Sequence, residues 1–477
     1  MNKRLISIAL LVAILAVIGV ACATPTAEPT KVPASSAASS APASSAAPSS
    51  SAASSAMPFG LKPGKPYAGT KLKFLICCNT AQQFFSLAQK TSEFTALTGI
   101  EVEWGNTPFA QFQQTLMTEG SAGSDTYDLL AWVDSWGYAL QNFILPLDSK
   151  IKDAKIDLND YPAAYLNPAK TAKGEVLGLP LRGHAYMLFY RKDVFDQLGL
   201  KAPETYADVE AAAKVIAEKT QLKPISPYYK TGTGGQDMFT WLSLLWGNGG
   251  DIFDKDYKPI FNNDAGVQAT QRYVDWLLKY KYAADSSKTW GEGDAATDFQ
   301  KGNSAMWLGW SWYYANFSNP AVAAPEVAKG VAVVPAPSWE GKGKPATYGY
   351  IWEMGIFKSS KKQDAAWEYL KWLASAEMDK KVALDKSDPK VDNVVVVHYS
   401  VLNDPEVNAK NGGLQKIVAL SLQNARTQPM ITDWLAVQTI LETAINEMAN
   451  GAPVKTTLDK AAADVTDTLK KAGGYYK

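Results

Sequence analysis

Residues 174–200 read GEVLGLPLRGHAYMLFYRKDVFDQLGL, and the fold turns on how this stretch is parsed. Residues 176–181 are a short apolar run punctuated by Gly178 and Pro180. Residues 186–190 are a continuous apolar run of the kind that both faces of a parallel sheet bury. The parse is strand, break, strand, helix, which makes this stretch a crossing between two bodies.

Upstream, residues 71–78 predict a strand, and Thr80 opens a helix whose Phe84, Leu87, Ala88, Phe94 and Leu97 keep helical spacing until Gly99. Ile100, Val102 and Trp104 alternate with Glu101 and Glu103, a strand period. Residues 109–117 are helical in pattern and residues 127–132 predict a third strand, so a parallel α/β sheet is expected. Ligands sit beyond the carboxyl ends of such strands. That points to Asn79 in the loop after the first strand and to Asp134 and Trp136 after the third. Asp134 also suits a helix N-cap, and Trp136 suits packing.

Downstream, Thr205 and Asp208 have capping-box spacing before a helix with Tyr206, Val209, Ala213 and Ile216 on one face. The glycine-rich residues 231–235 lack the lysine of a phosphate cradle and read as a loop leading to Asp237. Residues 307–314, WLGWSWYY, end a strand in an aromatic loop. Trp307 on that strand is assigned to the core, and packing in the lobe core is one reading of Trp310 and Trp312. Residues 365–374, 431–449 and 458–469 predict helices.

Several of these motifs resemble, in order, the family 1 extracellular solute-binding proteins of ATP-binding-cassette importers. The resemblance covers roughly residues 70–474 and is nearest to the maltose and multiple-sugar branch. It is carried by Gly-Leu-Pro with the run ending at Tyr190, and by residues 128–138, similar to D-I-I-x-W-x-x-D-x-x-G-G-Y but one residue shorter. Residues 299–306, F-x-x-G-x-x-A-M, and the segment YGYIWEMGI at 348–356 complete it. The resemblance implies a type II two-lobe fold, each lobe a mainly parallel sheet flanked by helices, joined by hinge crossings. It places crossings at residues 182–184, 348–354 and about 401–405. It implies ligand contacts from Asp134, Arg182, His184, Asp237, Trp310, Trp312, Tyr350, Trp352 and Trp434, with Trp310 or Trp312 as the platform for a sugar ring, whose C–H faces are apolar and whose rim is hydroxyls. At Asp237 and Met238 the residue types of the maltose binders are not retained, which argues against maltose itself.

Lys plus Arg and Asp plus Glu number 47 each; removing Lys3 and Arg4 leaves 45 basic residues against 47 acidic. Nothing in that balance recruits nucleic acid. Cys22, Cys77 and Cys78 are the three cysteines, and the last two are adjacent, so no disulfide framework is expected. With only His184 and His398 as histidines, no metal site or cofactor is expected. A basic start, an apolar run over residues 5–21 and small residues before Cys22 read as a secretion signal with a lipoprotein cysteine, the other reading being an uncleaved anchor helix. Residues 23–66 are rich in Ala, Ser and Pro and cannot bury a core. As a coil they would reach about 35 Å.

The expected division is residues 1–22 signal, 23–66 tether, 67–183 with 350–403 first lobe, and 184–349 with 404–477 second lobe. The expected function is that of a lipid-anchored, extracytoplasmic monomer that closes on a neutral carbohydrate and passes it to the permease subunits of an ABC importer. The same fold with a polyol, polyamine or organic acid, and a secreted carbohydrate-active enzyme or lectin, are the rivals. The enzyme reading takes Asp134, Asp237 and Glu353 as cleft-loop acids.

Overall fold

Parallel pairing in the first lobe follows from strands separated by helical crossovers. β1 (Lys71–Leu75) lies between β2 (Glu101–Trp104) and β3 (Leu129–Val133), parallel to both. The helices Gln82–Thr98 and Phe109–Ala122 make the connections. β3 is buried along its whole length, as an apolar run predicts, while in β2 Glu101 and Glu103 are exposed and Val102 and Trp104 half-buried. The first helix stops at Gly99, whose φ of 74° is the left-handed conformation that glycine adopts without a Cβ penalty.

The computed structural model describes residues 57–77, 82–343, 345–385 and 395–472. Cys22, Cys78, Asn79, the signal segment and residues 23–56 of the tether lie outside the described residues. Residues 57–66, read as tether, are part of the folded body. Leu61 is 3% exposed in the first-lobe core, the Lys62 amide donates to Glu368 Oε2 at 2.8 Å, and Lys371 Nζ donates to the Gly60 carbonyl at 2.7 Å. A Pro-, Gly- and Lys-rich composition resembles a linker, but here its partners come from the helix Gln363–Leu373.

The expected break in residues 174–200 does not occur. β4 (Gly178–Arg191) is a single strand of 14 residues, buried throughout, in which the register slips between Pro180 and Arg182. A bulge lets a strand bend and continue without losing its partner. The first half of β4 pairs with β8 (Thr347–Ile356), and the second half with β6 (Ser304–Trp310) and β7 (Val331–Pro335), all antiparallel. Residues 186–190 therefore lie among antiparallel neighbours, not in the parallel surroundings expected. Complete burial writes an apolar run whichever way the adjacent strand points. β5 (Lys223–Ile225) runs parallel to β6, and β9 (Ala425–Arg426) parallel to β8. Among the described residues the strand path is β2-β1-β3-β8-β4-β6-β5.

Two hydrophobic cores flank this path. Leu179 and Leu181 belong to the first and Ala185 to the second, and on β8 the change falls between Ile351 and Trp352. Both central strands thus cross from one core to the other. Another change follows Val382, since Ala383, Val396 and Val397 already pack in the second core, earlier than the expected residues 401–405. Thr205 and Asp208 form the predicted capping box, and Tyr206, Val209, Ala213 and Ile216 are buried. No helix of the described residues is long and apolar enough to cross a membrane.

Candidate functional site

Antiparallel pairing of β4 with β8 puts Arg182 opposite Trp352 and His184 opposite Tyr350. Residues directly opposite each other project from the same face, so their side chains meet. The His184 and Tyr350 rings stack, with centroids 6.2 Å apart at 24°. Tyr350 is half-buried and meets Trp310, at the end of β6, at 5.4 Å; Tyr348, two residues earlier on the same face, meets it at 5.2 Å. Tyr186 and Phe239 close on the other edges of Trp310 at 5.1 and 4.8 Å. Hinge strands and second lobe thereby share one aromatic cluster.

The first lobe contributes a second wall. Trp352 packs on Phe84, Phe112 and Phe109, and Trp136 on Phe109 and Phe112. Phe109 is 44% exposed at the edge of this group, while Trp352 is buried. Asp134, just past β3, is fully buried and accepts a hydrogen bond from Tyr348 Oη at 2.8 Å. Burial pushes its carboxyl up to about 7, against the Tyr348 hydroxyl and the Ser135 and Gln428 amides, which favour the charged form. Gln428 Oε1 in turn accepts from Trp434 Nε1 at 2.8 Å, at the start of the helix Trp434–Ala449. Asp134 from the first lobe thus meets the segment that leads into a second-lobe helix.

The remaining expected residues are more scattered. Trp312 is partly buried and stacks on its neighbour Tyr313 at 3.7 Å. Trp310 is not an open platform in this structure: it is 4% exposed, and its Nε1 donates to Glu292 Oε2 at 2.9 Å. Asp237 is fully buried at the start of the helix Met238–Gly247, and burial first and the Glu442 charge second push its carboxyl well up. Glu353, expected in a cleft loop, lies within β8 opposite Trp132 and Pro180, where burial and then the charge of Asp134 raise it well above the usual range. Burial, then the Arg182 charge, lowers His184 to about 3, so the imidazole is neutral. Tyr348, Glu292 and Gln428 were missed. Tyr348 was findable from its two-residue spacing to Tyr350, whereas Glu292 reads as an ordinary first-turn acid and Gln428 carries no signal. Among the described residues no three His, Cys, Asp or Glu side chains are grouped as a metal site.

The profile of the bacterial extracellular solute-binding proteins matches residues 80–380, well over half of the chain. The chain belongs to that family. A solute-binding protein from Agrobacterium radiobacter K84, solved in complex with ribitol, superimposes with a TM-score of 0.71 at 24% identity, covering 84% of this chain and 100% of that one. Maltose-bound MalE3 of T. maritima gives 0.71 at 20% identity with the same 84% and 100% coverage. In sequence, a probable amino-acid ABC transporter periplasmic-binding protein of Sinorhizobium fredii is 24% identical over 423 residues, 87% of this chain and 92% of that protein. This solute-binding protein therefore has the type II two-lobe fold and works with an ABC transporter, as the relatives do; they are binding proteins and not enzymes.

Proposed function

We propose that this protein captures a neutral sugar between its lobes and delivers it to its permease. The observation that supports this reading is the aromatic cluster of His184, Tyr350, Tyr348 and Trp310 where the two cores meet. Around it the ionisable groups are held near neutrality: Asp134 and Glu292 are pushed up to about 7, and His184 down to about 3. Arg182 carries a permanent charge, is 1% exposed and already has a partner within the protein. Such a lining offers stacking faces and donors or acceptors for hydroxyls, and little net charge for an ion. The proposed contacts are those expected from the sequence, Asn79, Asp134, Trp136, Arg182, His184, Asp237, Trp310, Trp312, Tyr350, Trp352 and Trp434, joined by Tyr348. The ribitol complex of the Agrobacterium radiobacter protein makes an open-chain polyol the second reading.

The residues flanking both crossings act as the hinge in this proposal, with two lobes closing on the ligand. Lipidation at Cys22 keeps the protein on the outer face of the cell membrane, and it acts as a monomer. A thermal-shift screen over neutral sugars, polyols and amino acids tests the ligand class, since a tight ligand raises the melting temperature by mass action. Calorimetry on the best sugar should show little change between low and high salt. In the same assay Trp312→Ala should weaken binding at least several-fold, on the order of 1 kcal/mol for a stacking platform, and Trp310→Ala should weaken it by removing the ring on which Tyr350 packs. An amino acid as tightest ligand, or a steep salt dependence, refutes the sugar reading. Cys22→Ser should move the protein from the membrane to the soluble fraction; retention on the membrane refutes the lipid anchor.

A further inference from the structure

Trp310 is enclosed by four rings, Tyr186, Phe239, Tyr348 and Tyr350, which together restrict its plane. Rings alone do not choose which way round an indole lies, because turning it over about its second side-chain torsion leaves it in a similar slot. Its Nε1–H breaks that ambiguity, and the acceptor is Glu292 Oε2 at 2.9 Å. Glu292 is 6% exposed and takes a second hydrogen bond from the hydroxyl of Tyr313, three residues after Trp310. Its own amide donates to Gln236 Oε1 at 3.1 Å, in the segment that leads into the helix bearing Phe239. Glu292 therefore ties together the strand end that carries Trp310 and the turn that carries Tyr313 through its carboxylate, and the approach to Phe239 through its amide.

Resting on the sugar reading above, we propose that Glu292 is the positioning residue of the site: it fixes the sense of the buried Trp310 indole, and through it the half-buried Tyr350 ring that packs on it and meets the ligand. A carboxylate suits this task because two donors converge on it and it offers two acceptor oxygens, where a glutamine offers one and adds an N–H. Without Glu292 the Trp310 N–H is left buried without an acceptor, and the indole is free to turn over. The groups that face Glu292 from neighbouring elements are Trp310, Tyr313, Tyr186 and Tyr228, and burial holds all three tyrosines neutral at ordinary pH. Glu292 itself is pushed up to about 7 by burial, so it changes charge where binding is measured.

The test follows the Trp310 indole N–H by proton–nitrogen correlation NMR, its peak assigned by its loss in Trp310→Phe. In the wild type the ligand-free peak should shift with pH around 7; in Glu292→Gln it should move and cease to titrate. Affinity is then measured for the tightest compound of the screen, whatever its class. Glu292→Ala should weaken it roughly tenfold, with Glu292→Gln recovering part of the loss. An indole peak that is the same in both variants, or variants that bind that compound as tightly as wild type, would overturn the proposal. If the tightest compound is an amino acid, the sugar reading fails, while the role of Glu292 is still judged on the same ratio of affinities. A loss of melting temperature with unchanged affinity would mark Glu292 as a structural residue only, and would also overturn the proposal.

Discussion

Ligand-free protein should be more stable at pH 5 than at pH 8, and Asp134→Asn should remove much of that difference. Burial raises Asp134 from 3.8 to about 7 and Glu292 from 4.5 to about 7. Between those limits the folded protein holds protons that the unfolded chain has released, so stability falls as pH rises through the window and is level above it. Over pH 5 to 8 each carboxyl contributes a loss of roughly 2.5 kcal/mol. His184 acts the other way. Lowered from 6.5 to about 3, it is neutral in the fold while the unfolded imidazole is protonated, so stability rises by about 2 kcal/mol between pH 5 and its unfolded value. The balance is a loss of about 3 kcal/mol. Asp237 and Glu353, also raised by burial, add to it with the same sign. The exposed acids Asp208, Asp364 and Asp459 are lowered, so their stabilisation is lost only as pH falls through their folded values, below this range. Urea unfolding at pH 5, 6.5 and 8, at fixed ionic strength, measures the profile. Equal or greater stability at pH 8 than at pH 5, or a profile that Asp134→Asn leaves unaltered, would refute the reasoning.

Tyr348→Phe deletes the donor to Asp134 and should cost about 1–3 kcal/mol at pH 8, where the carboxylate needs it, and less at pH 5; the same urea series checks this. Gly309→Ala should lower stability by about 1–3 kcal/mol or more, because a Cβ there would lie 1.9 Å from Cη2 of the fully buried Trp307; thermal melting reads it. Thr205→Ala breaks the capping box and should cost about 1 kcal/mol in urea unfolding, with ligand affinity unchanged.

Local periods make much of the architecture legible in the amino-acid sequence. Alternation in β2, the apolar runs of β3 and β4, the Thr205–Asp208 box and the ordered family motifs are each written within about ten residues, where side-chain period and capping chemistry act directly. The same local signals place Trp310, Tyr350 and Asp134 at strand ends and crossings. What they cannot express is pairing at a distance. An apolar run reports burial and not the direction of the next strand, so the antiparallel setting of β4 and its unbroken passage through a bulge are decided only by the tertiary structure. Asp134 and Tyr348 are separated by 214 residues in the chain, and Lys62 and Glu368 by 306. The near-neutral carboxyls at the site are likewise a tertiary property, because a pKa is moved by the water that a neighbouring element removes, and no residue specifies that by itself.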